Sequence, residues 1–463
     1  MPSTRRDRPA AGEREPRDDN TLQLPSVKLL IAVILVATIA AFVWYVFRVK
    51  WYPTSPVGVG GITPAQAQQL AGALAVKNPV DSSDLAVSFA PTSGSVELVI
   101  DGVNFFPRIL DDIRAAQSSV HVSEFEVRPS PIGSSFVAAL KEKAAEGVEV
   151  RLIVDRMGSA VDTVSREMFD DLVSAGVQIV QNDPVPPDRD GPLGGDRPID
   201  WRFDEVAHFD HRKLFVIDGR TAWVGSAGIT SHFADGRYHD VFVRTDGEVV
   251  ADLQTVFLTS YRFLGGVLPT DPEQLARYYA PPPNGDSAVP ITVRHNVPRE
   301  GQLGNTDTIA YLFDNATRRL DVVSPFNADR AMMERLIAAA RRGVAVRFVA
   351  PASSNNWATA GAFEHYIPEL QAAGVEVWLH PVFPHAKVVL ADDRVLVGST
   401  NLDAWALYHN WEIGMLIDDP AVAETFRQRL FDVDVARSEL PTPVTNPLIR
   451  AWNWLLATLG PFI

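Results

Sequence analysis

The longest apolar stretch, Leu29 to Phe47 (LLIAVILVATIAAFVWYVF), runs nineteen residues without a charge. It is rimmed by Lys28, Arg48 and Lys50 and by Trp44, Tyr45, Trp51 and Tyr52. A helix rising about 1.5 Å per residue crosses a hydrocarbon core of about 30 Å over that length, and aromatic and basic residues suit its two interfaces. The pattern predicts an uncleaved transmembrane helix over 28–50. A buried core helix and a signal peptide are the rivals, but the run is long for a signal core and no small-residue cleavage site follows promptly. Residues 1–27 are charged and Pro-rich with little apolar content, and predict a disordered tail. Residues 51–94, rich in Pro, Gly, Ser and Ala, predict a linker with one short helix around Thr63 to Leu74.

From Val96 onward the hydrophobic pattern repeats. VHVSEFEV, a helical stretch and Gly147-Val148-Glu149-Val150-Arg151 are followed later by LDVVSPFN, a helical stretch and Gly343-Val344-Ala345-Val346-Arg347. Each copy adds a second helix ending at an Ala-Gly-Val-x-Val turn, at Gly176 and at Gly374. Buried-strand runs alternating with amphipathic helices predict an α/β fold, a duplicated sandwich of two pseudo-symmetric halves. The halves are expected at 95–267 and 291–440, with a Pro-rich linker at 268–290 and an apolar C-terminal tail at 441–463. Gly176 and Gly374 are 198 residues apart, whereas the histidine motifs that follow them, at His211 and His385, are 174 apart. The first copy therefore carries about 24 extra residues after Val180, Pro-, Gly- and Asp-rich, which read as a loop beside the active site, a lid or substrate gate.

The chain has 463 residues, a formal charge of −15 and no cysteine. Disulfides, thiolate nucleophiles and cysteine-bound metals are excluded, and an acidic balance argues against a nucleic-acid partner. Chemistry concentrates in two segments. The first, HFDHRKLFVIDGRTAWVGSAGI, holds His211, Lys213, Asp218, Gly225 and Ser226; the second, HAKVVLADDRVLVGSTNLD, holds His385, Lys387, Asp392, Gly398, Ser399 and Asn401. Positions i and i+2 of a strand share a face, so each histidine stands beside its lysine and both can address one ligand. Only seven lysines occur in the chain, and two of them sit two residues after a histidine with an aspartate five further on, a repetition that chance explains poorly. His121, His232, His295 and His365 lack this context and read as structural, while His208, His239, His380 and His409 flank the motifs without a role.

Both segments resemble the signature of the phospholipase D superfamily, HxKxxxxD followed by a Gly-Ser-x-Asn turn, duplicated in one chain. Further stretches, DGVNFFPRILDDIRAAQSSVHV, Tyr238-His239-Asp240-Val241, GEVVADLQTVF and Asn410-Trp411-Glu412, look like bacterial cardiolipin synthases in particular. Three departures stand out. Gly228 replaces the usual Asn of the first turn, the span from Asp392 to Gly398 is one residue short, and Trp405-Ala406 stand where those synthases tend to have Arg-Ser.

The resemblance implies that His211 attacks phosphorus to form a phosphohistidine while His385 serves as acid and then base. Lys213 and Lys387, with Ser226, Ser399 and Asn401, would neutralise the phosphate oxygens without a metal or cofactor. Asp218 and Asp392 would orient the histidines, and Asp240 and Glu412 are further partners of that kind. The implied activity is a phosphatidyltransferase joining two phosphatidylglycerols into cardiolipin and glycerol. The alternatives are a phospholipase D making phosphatidic acid and, less favoured, a nuclease or a lipid-binding scaffold. The expected partners are phospholipid and membrane. Six basic residues before the span against Arg48 and Lys50 after it favour an outward-facing catalytic body, and the tail RAWNWLLATLGPFI would lie in the lipid interface.

Overall fold

The computed structural model describes residues 61–159, 163–182, 208–280 and 289–460. Its centre is two sheets. Seven strands form the first, in the order Glu97–Ile100, Val241–Asp246, Thr221–Gly225, Lys213–Ile217, Ser119–Glu124, Glu149–Asp155, Gln178–Asn182. The second repeats this layout: Val289–Val297, Glu412–Asp418, Arg394–Gly398, Val388–Ala391, Arg319–Val323, Ala345–Pro351, Glu376–His380, with Thr92–Gly94 added at the edge. Ser119–Glu124 pairs parallel with Glu149–Asp155 and antiparallel with Lys213–Ile217, and Arg319–Val323 does the same with Ala345–Pro351 and Val388–Ala391. The duplication read from the sequence is thus a duplication of strand register.

Period-two alternation explains the layering. Leu214 and Val216 join the core shared with Val388 and Leu390 of the second sheet, while Phe215 and Ile217 face the helices Gly102–Ala115 and Pro131–Ala145. Val389 and Ala391 face the helices Gly304–Asn315 and Arg330–Arg341 in the same way. Each sheet therefore buries both faces, which is why its strands are apolar runs rather than alternating ones.

Two expected linkers belong to the body instead. Within 51–94, the helix Pro64–Val76 is capped by a reciprocal Thr63–Gln66 pair. It packs against the helix Val249–Phe263 through Ala67 and Ala71, small residues four apart that permit close approach. Within 268–290, Leu268, Leu275 and Tyr278 are buried in the same core. Pro and Gly content suggested tethers, but the apolar side chains between those residues decide the packing. The tail's helix Pro447–Thr458 docks on Trp357–Ala372, where a side chain at Gly361 would strike Leu456 and Asn453. Leu448, Trp452 and Trp454 remain exposed on it, and Trp452 stacks on Trp357 at 6.0 Å. No helix among the described residues is long and apolar enough to cross a membrane; the expected disordered tail and span at 1–50 and the insertion at 183–207 lie outside them.

Candidate active site

Each histidine motif is a β-hairpin, Lys213–Ile217 with Thr221–Gly225 and Val388–Ala391 with Arg394–Gly398. The histidine and lysine lie at the open end of each hairpin. Both aspartates sit at the opposite end, seven residues on from the histidine and about 23 Å away at the rise of a strand. Asp218 and Asp392 adopt a left-handed φ of 53°, which a short Asp side chain tolerates. Asp218 accepts from the backbone N–H of Gln117, Ser118 and Ser119, and Asp392 from those of Thr317, Arg318 and Arg319. They tie each hairpin to the strand beside it. The expectation that they orient the histidines is corrected: they are too far down the strand.

The orienting carboxylates are Asp240 and Glu412, and they are exchanged between halves. His211 Nδ1 lies 3.0 Å from Glu412 Oε1, and His385 Nδ1 lies 2.8 Å from Asp240 Oδ1. The backbone makes the same exchange. His211 N–H donates to the Trp411 carbonyl (3.0 Å), and His385 N–H donates to the His239 carbonyl (2.8 Å). A carboxylate at Nδ1 holds the proton there and leaves Nε2 with its lone pair, the tautomer needed for attack or proton abstraction. Ser226 donates to Asp240 (2.7 Å) and Ser399 to Glu412. A hydroxyl has one proton to give, so these serines, expected on the phosphate, secure the carboxylates instead.

All four motif side chains are buried or nearly so. Burial, then the neighbouring lysines, hold both imidazoles below the usual range, His385 at about 3 and His211 well below, so both are neutral at neutral pH. Burial also lowers Lys213, and lowers Lys387 to about 7. Burial raises Glu412 to about 8, while Asp240 stays below the carboxylate range through His385, its hydrogen bond and Lys387 despite its own burial. The two pairs thus differ: Glu412 binds its proton more tightly than an ordinary carboxyl beside a neutral His211, whereas Asp240 is an anion beside a neutral His385. Lys387 acts on His211 and Lys213 acts on His385, so the four groups share one electrostatic field.

Two buried ammonium groups are costly unless compensated. Lys213 has Glu124 opposite it in register, its Nζ lies 2.7 Å from the His211 carbonyl and 5.1 Å from the Phe125 ring centre. Lys387 Nζ lies 3.0 Å from His385 Nε2 and within reach of the Asp240 field. Asn401 is buried in the turn after Ser399, and its Oδ1 has no partner among the described residues. An acceptor-only phosphate would convert this charge excess into ion pairs.

Sequence reasoning missed the aromatic wall of His385, built by Phe233, Tyr238, Phe326 and Phe383 at ring separations of 5.0 to 6.4 Å. It also missed His239, whose imidazole lies between Asp101 (2.6 Å) and Asp434 (3.0 Å) and is raised to about 10 against its burial by those carboxylates. His239 thereby links the halves one residue before Asp240. Its place in Tyr-His-Asp-Val was the available signal. His121 and His295, buried and bonded to Gln254 and to the Val87 carbonyl, are structural as expected.

A family profile described as "Cardiolipin synthase, PLD-like domain" matches residues 109–260 and 309–433. The minor cardiolipin synthase ClsB of Bacillus subtilis is 27% identical over 363 residues, covering 76% of this chain and 84% of that protein. Cardiolipin synthase A of Pseudomonas fluorescens is 31% identical over 352 residues, covering 73% and 68%. In fold, the chain is similar to a phosphatidylserine synthase from Haemophilus influenzae, with a TM-score of 0.61 at 14% identity, covering 86% of this chain and all of that one.

Proposed function

Because this chain belongs to the cardiolipin synthase family of phospholipase D-like proteins, we propose that it is a phosphatidyltransferase joining two phosphatidylglycerols into cardiolipin and glycerol. The observation that carries this reading is the exchange of carboxylates between the two motifs, which turns each Nδ1 to a carboxylate and leaves Nε2 for chemistry beside two lysines, that of His385 lying 3.0 Å from Lys387 Nζ. His211 Nε2 attacks phosphorus and His385 delivers a proton to the departing glycerol oxygen, forming a phosphatidyl-histidine. His385 then takes the proton of the incoming alcohol, whose oxygen displaces His211. Lys213, Lys387 and the Asn401 amide balance the non-bridging oxygens. In the first step His385 must be protonated; the anionic substrate opposes the lysine charges that depress it, so binding carries a proton in.

The domain plan follows: a single span at Leu29–Phe47, a body from residue 64, and a C-terminal helix against the bilayer. The exposed Trp357, Leu448, Ile449, Trp452 and Trp454 support this seating. Trp357 follows Asn355 by two residues, and the Asn355 amide holds the Tyr238 hydroxyl (3.0 Å) over His385, so the apolar platform borders the site. Such a seating keeps water scarce and acceptor lipid concentrated, and transfer outruns hydrolysis.

The test is the product mixture formed by the purified chain from phosphatidylglycerol in mixed micelles. Cardiolipin and glycerol should exceed phosphatidic acid; phosphatidic acid alone, indifferent to added alcohol, would make it a hydrolase. Replacing Trp357 and Trp452 by Ser should lower turnover of bilayer phosphatidylglycerol and spare a short-chain soluble analogue. Protease accessibility of the body in intact cells tests the outward orientation.

A further inference from the structure

The two motifs border the site with chemically opposed residues. Strand registers equate Glu126 with Phe326 and the turn residue Gly228 with Asn401. Ile229 N–H donates to the Glu126 carbonyl as Leu402 N–H donates to that of Phe326. The second border thus offers an aromatic ring and an amide, and the first offers a carboxylate and no side chain.

Gly228 and Glu126 are coupled by space. A Cβ at Gly228 would lie 3.0 Å from Glu126 Cβ, 3.1 Å from its carbonyl oxygen and 3.1 Å from Phe233. The missing Asn of the first turn is therefore the room in which Glu126 and Phe233 sit, and Phe233 in turn leans on His385 at 5.0 Å. The Glu126 charge is felt at Lys213 on one side of the site and at Tyr238 and His232 on the other. One carboxylate oxygen accepts from Arg128 Nε (3.1 Å); the other makes no hydrogen bond among the described residues.

A carboxylate offers only acceptors. It repels phosphate oxygens and welcomes hydroxyls, which phosphate-binding groups such as Asn401 do not distinguish. We infer that Glu126 is the residue that selects the alcohol, accepting hydrogen bonds from the neighbouring hydroxyls of a glycerol-type headgroup while His385 serves its reacting oxygen. This rests on the phosphatidyltransferase reading. In the selected step the alcohol's proton passes to His385 Nε2, its oxygen bonds to phosphorus, and the phosphorus–nitrogen bond breaks with its electron pair returning to His211. Glu126 takes no part in that transfer of electrons; it positions the polyol.

The experiment sets glycerol against 1-propanol, equal in carbon number, as competing acceptors for the full-length enzyme acting on phosphatidylglycerol in mixed micelles. Labelled glycerol exchanged into phosphatidylglycerol is compared with phosphatidylpropanol formed. The wild type should favour glycerol. Glu126→Gln, which keeps the shape and loses the charge, should lower the glycerol-to-propanol ratio by about tenfold, the worth of a charge-assisted hydrogen bond. Circular dichroism and the thermal midpoint of Glu126→Gln should match the wild type, and Glu126→Asp should recover part of the preference. An unchanged ratio in Glu126→Gln overturns the inference, as does an equal fall in Arg128→Gln, which would make the ion pair structural. A wild type that transfers to neither alcohol and makes only phosphatidic acid instead overturns the transferase reading beneath it.

Discussion

The hairpin carrying His211 and the hairpin carrying His385 are one motif used twice, yet their surroundings differ in kind. His385 stands among four aromatic rings beside the anionic Asp240, and His211 stands beside a Glu412 raised by burial, in a region bordered by Glu124 and Glu126. Duplication supplies two imidazoles and two ammonium groups at matching positions. Divergence of the flanking strands then makes the copies unequal, so that one can serve as nucleophile and the other as acid and base. Two identical half-sites could not divide that labour except by chance of approach.

The largest effects come from erasing either histidine. His211→Ala and His385→Ala should each lower turnover of phosphatidylglycerol by about 10⁴-fold or more. They should part company on a 4-nitrophenyl phosphodiester, whose leaving group needs no proton. His385→Ala should still give a burst of nitrophenol and an acid-labile phosphohistidine, and His211→Ala should give neither. Near-normal activity in either variant would end the one-site reading.

The exchanged carboxylates sharpen the comparison. Asp240→Asn and Glu412→Gln should each lower kcat by about 10²–10³-fold, through loss of the productive tautomer. Because each serves the other half, Asp240→Asn should mimic His385→Ala and keep the burst, while Glu412→Gln should mimic His211→Ala. The reverse assignment would mean that each carboxylate serves its own motif.

Much of this was legible in the sequence for a physical reason. A motif of fixed spacing on a strand defines a face, so the pairing of His211 with Lys213 and of His385 with Lys387 followed from period two. The equivalence of the halves followed from nearly equal offsets between glycine turns, 196 from Gly147 to Gly343 and 198 from Gly176 to Gly374. Asp218 and Asp392 misled because membership of a motif does not specify distance along a strand. The exchange of Asp240 and Glu412 was hidden because each lies more than 25 residues from the histidine of its own motif and about 145 or more from the one it touches. Nothing local encodes such a contact. The tether readings failed where Ala67 and Ala71, individually unremarkable, form a packing face only when a partner helix exists.

A smaller effect concerns pH. Burial brings Lys387 down to about 7, so its positive charge is present below that pH and lost above it. The value of kcat/KM for an anionic phosphodiester should therefore fall as pH rises above about 7, approaching tenfold per unit. Lys387→Arg, which stays charged, should flatten that limb whatever it does to the maximum.

The smallest effect on chemistry is expected at the far ends of the hairpins. Asp218→Ala and Asp392→Ala should leave kcat within about twofold while lowering stability by about 1–2 kcal/mol, as loss of a backbone-capping carboxylate does. Both carboxyls are held below their usual value by backbone N–H donors despite partial burial. Their contribution is therefore present above about pH 4 and lost as pH falls through the lowered value. Urea unfolding of Asp218→Asn against the wild type at pH 7 and pH 3 should show the gap narrowing.

The crossed clamp also sets a timetable for the growing chain. As synthesis proceeds, His211 and Lys213 leave the ribosome long before Glu412, the carboxylate that must hold the His211 proton. Until the second half has folded against the first, the emerging polypeptide holds a histidine in no defined tautomer and an Asp240 with no imidazole to serve. The site is thereby completed only when the strand Glu412–Asp418, the last of the second sheet to be made, is in place.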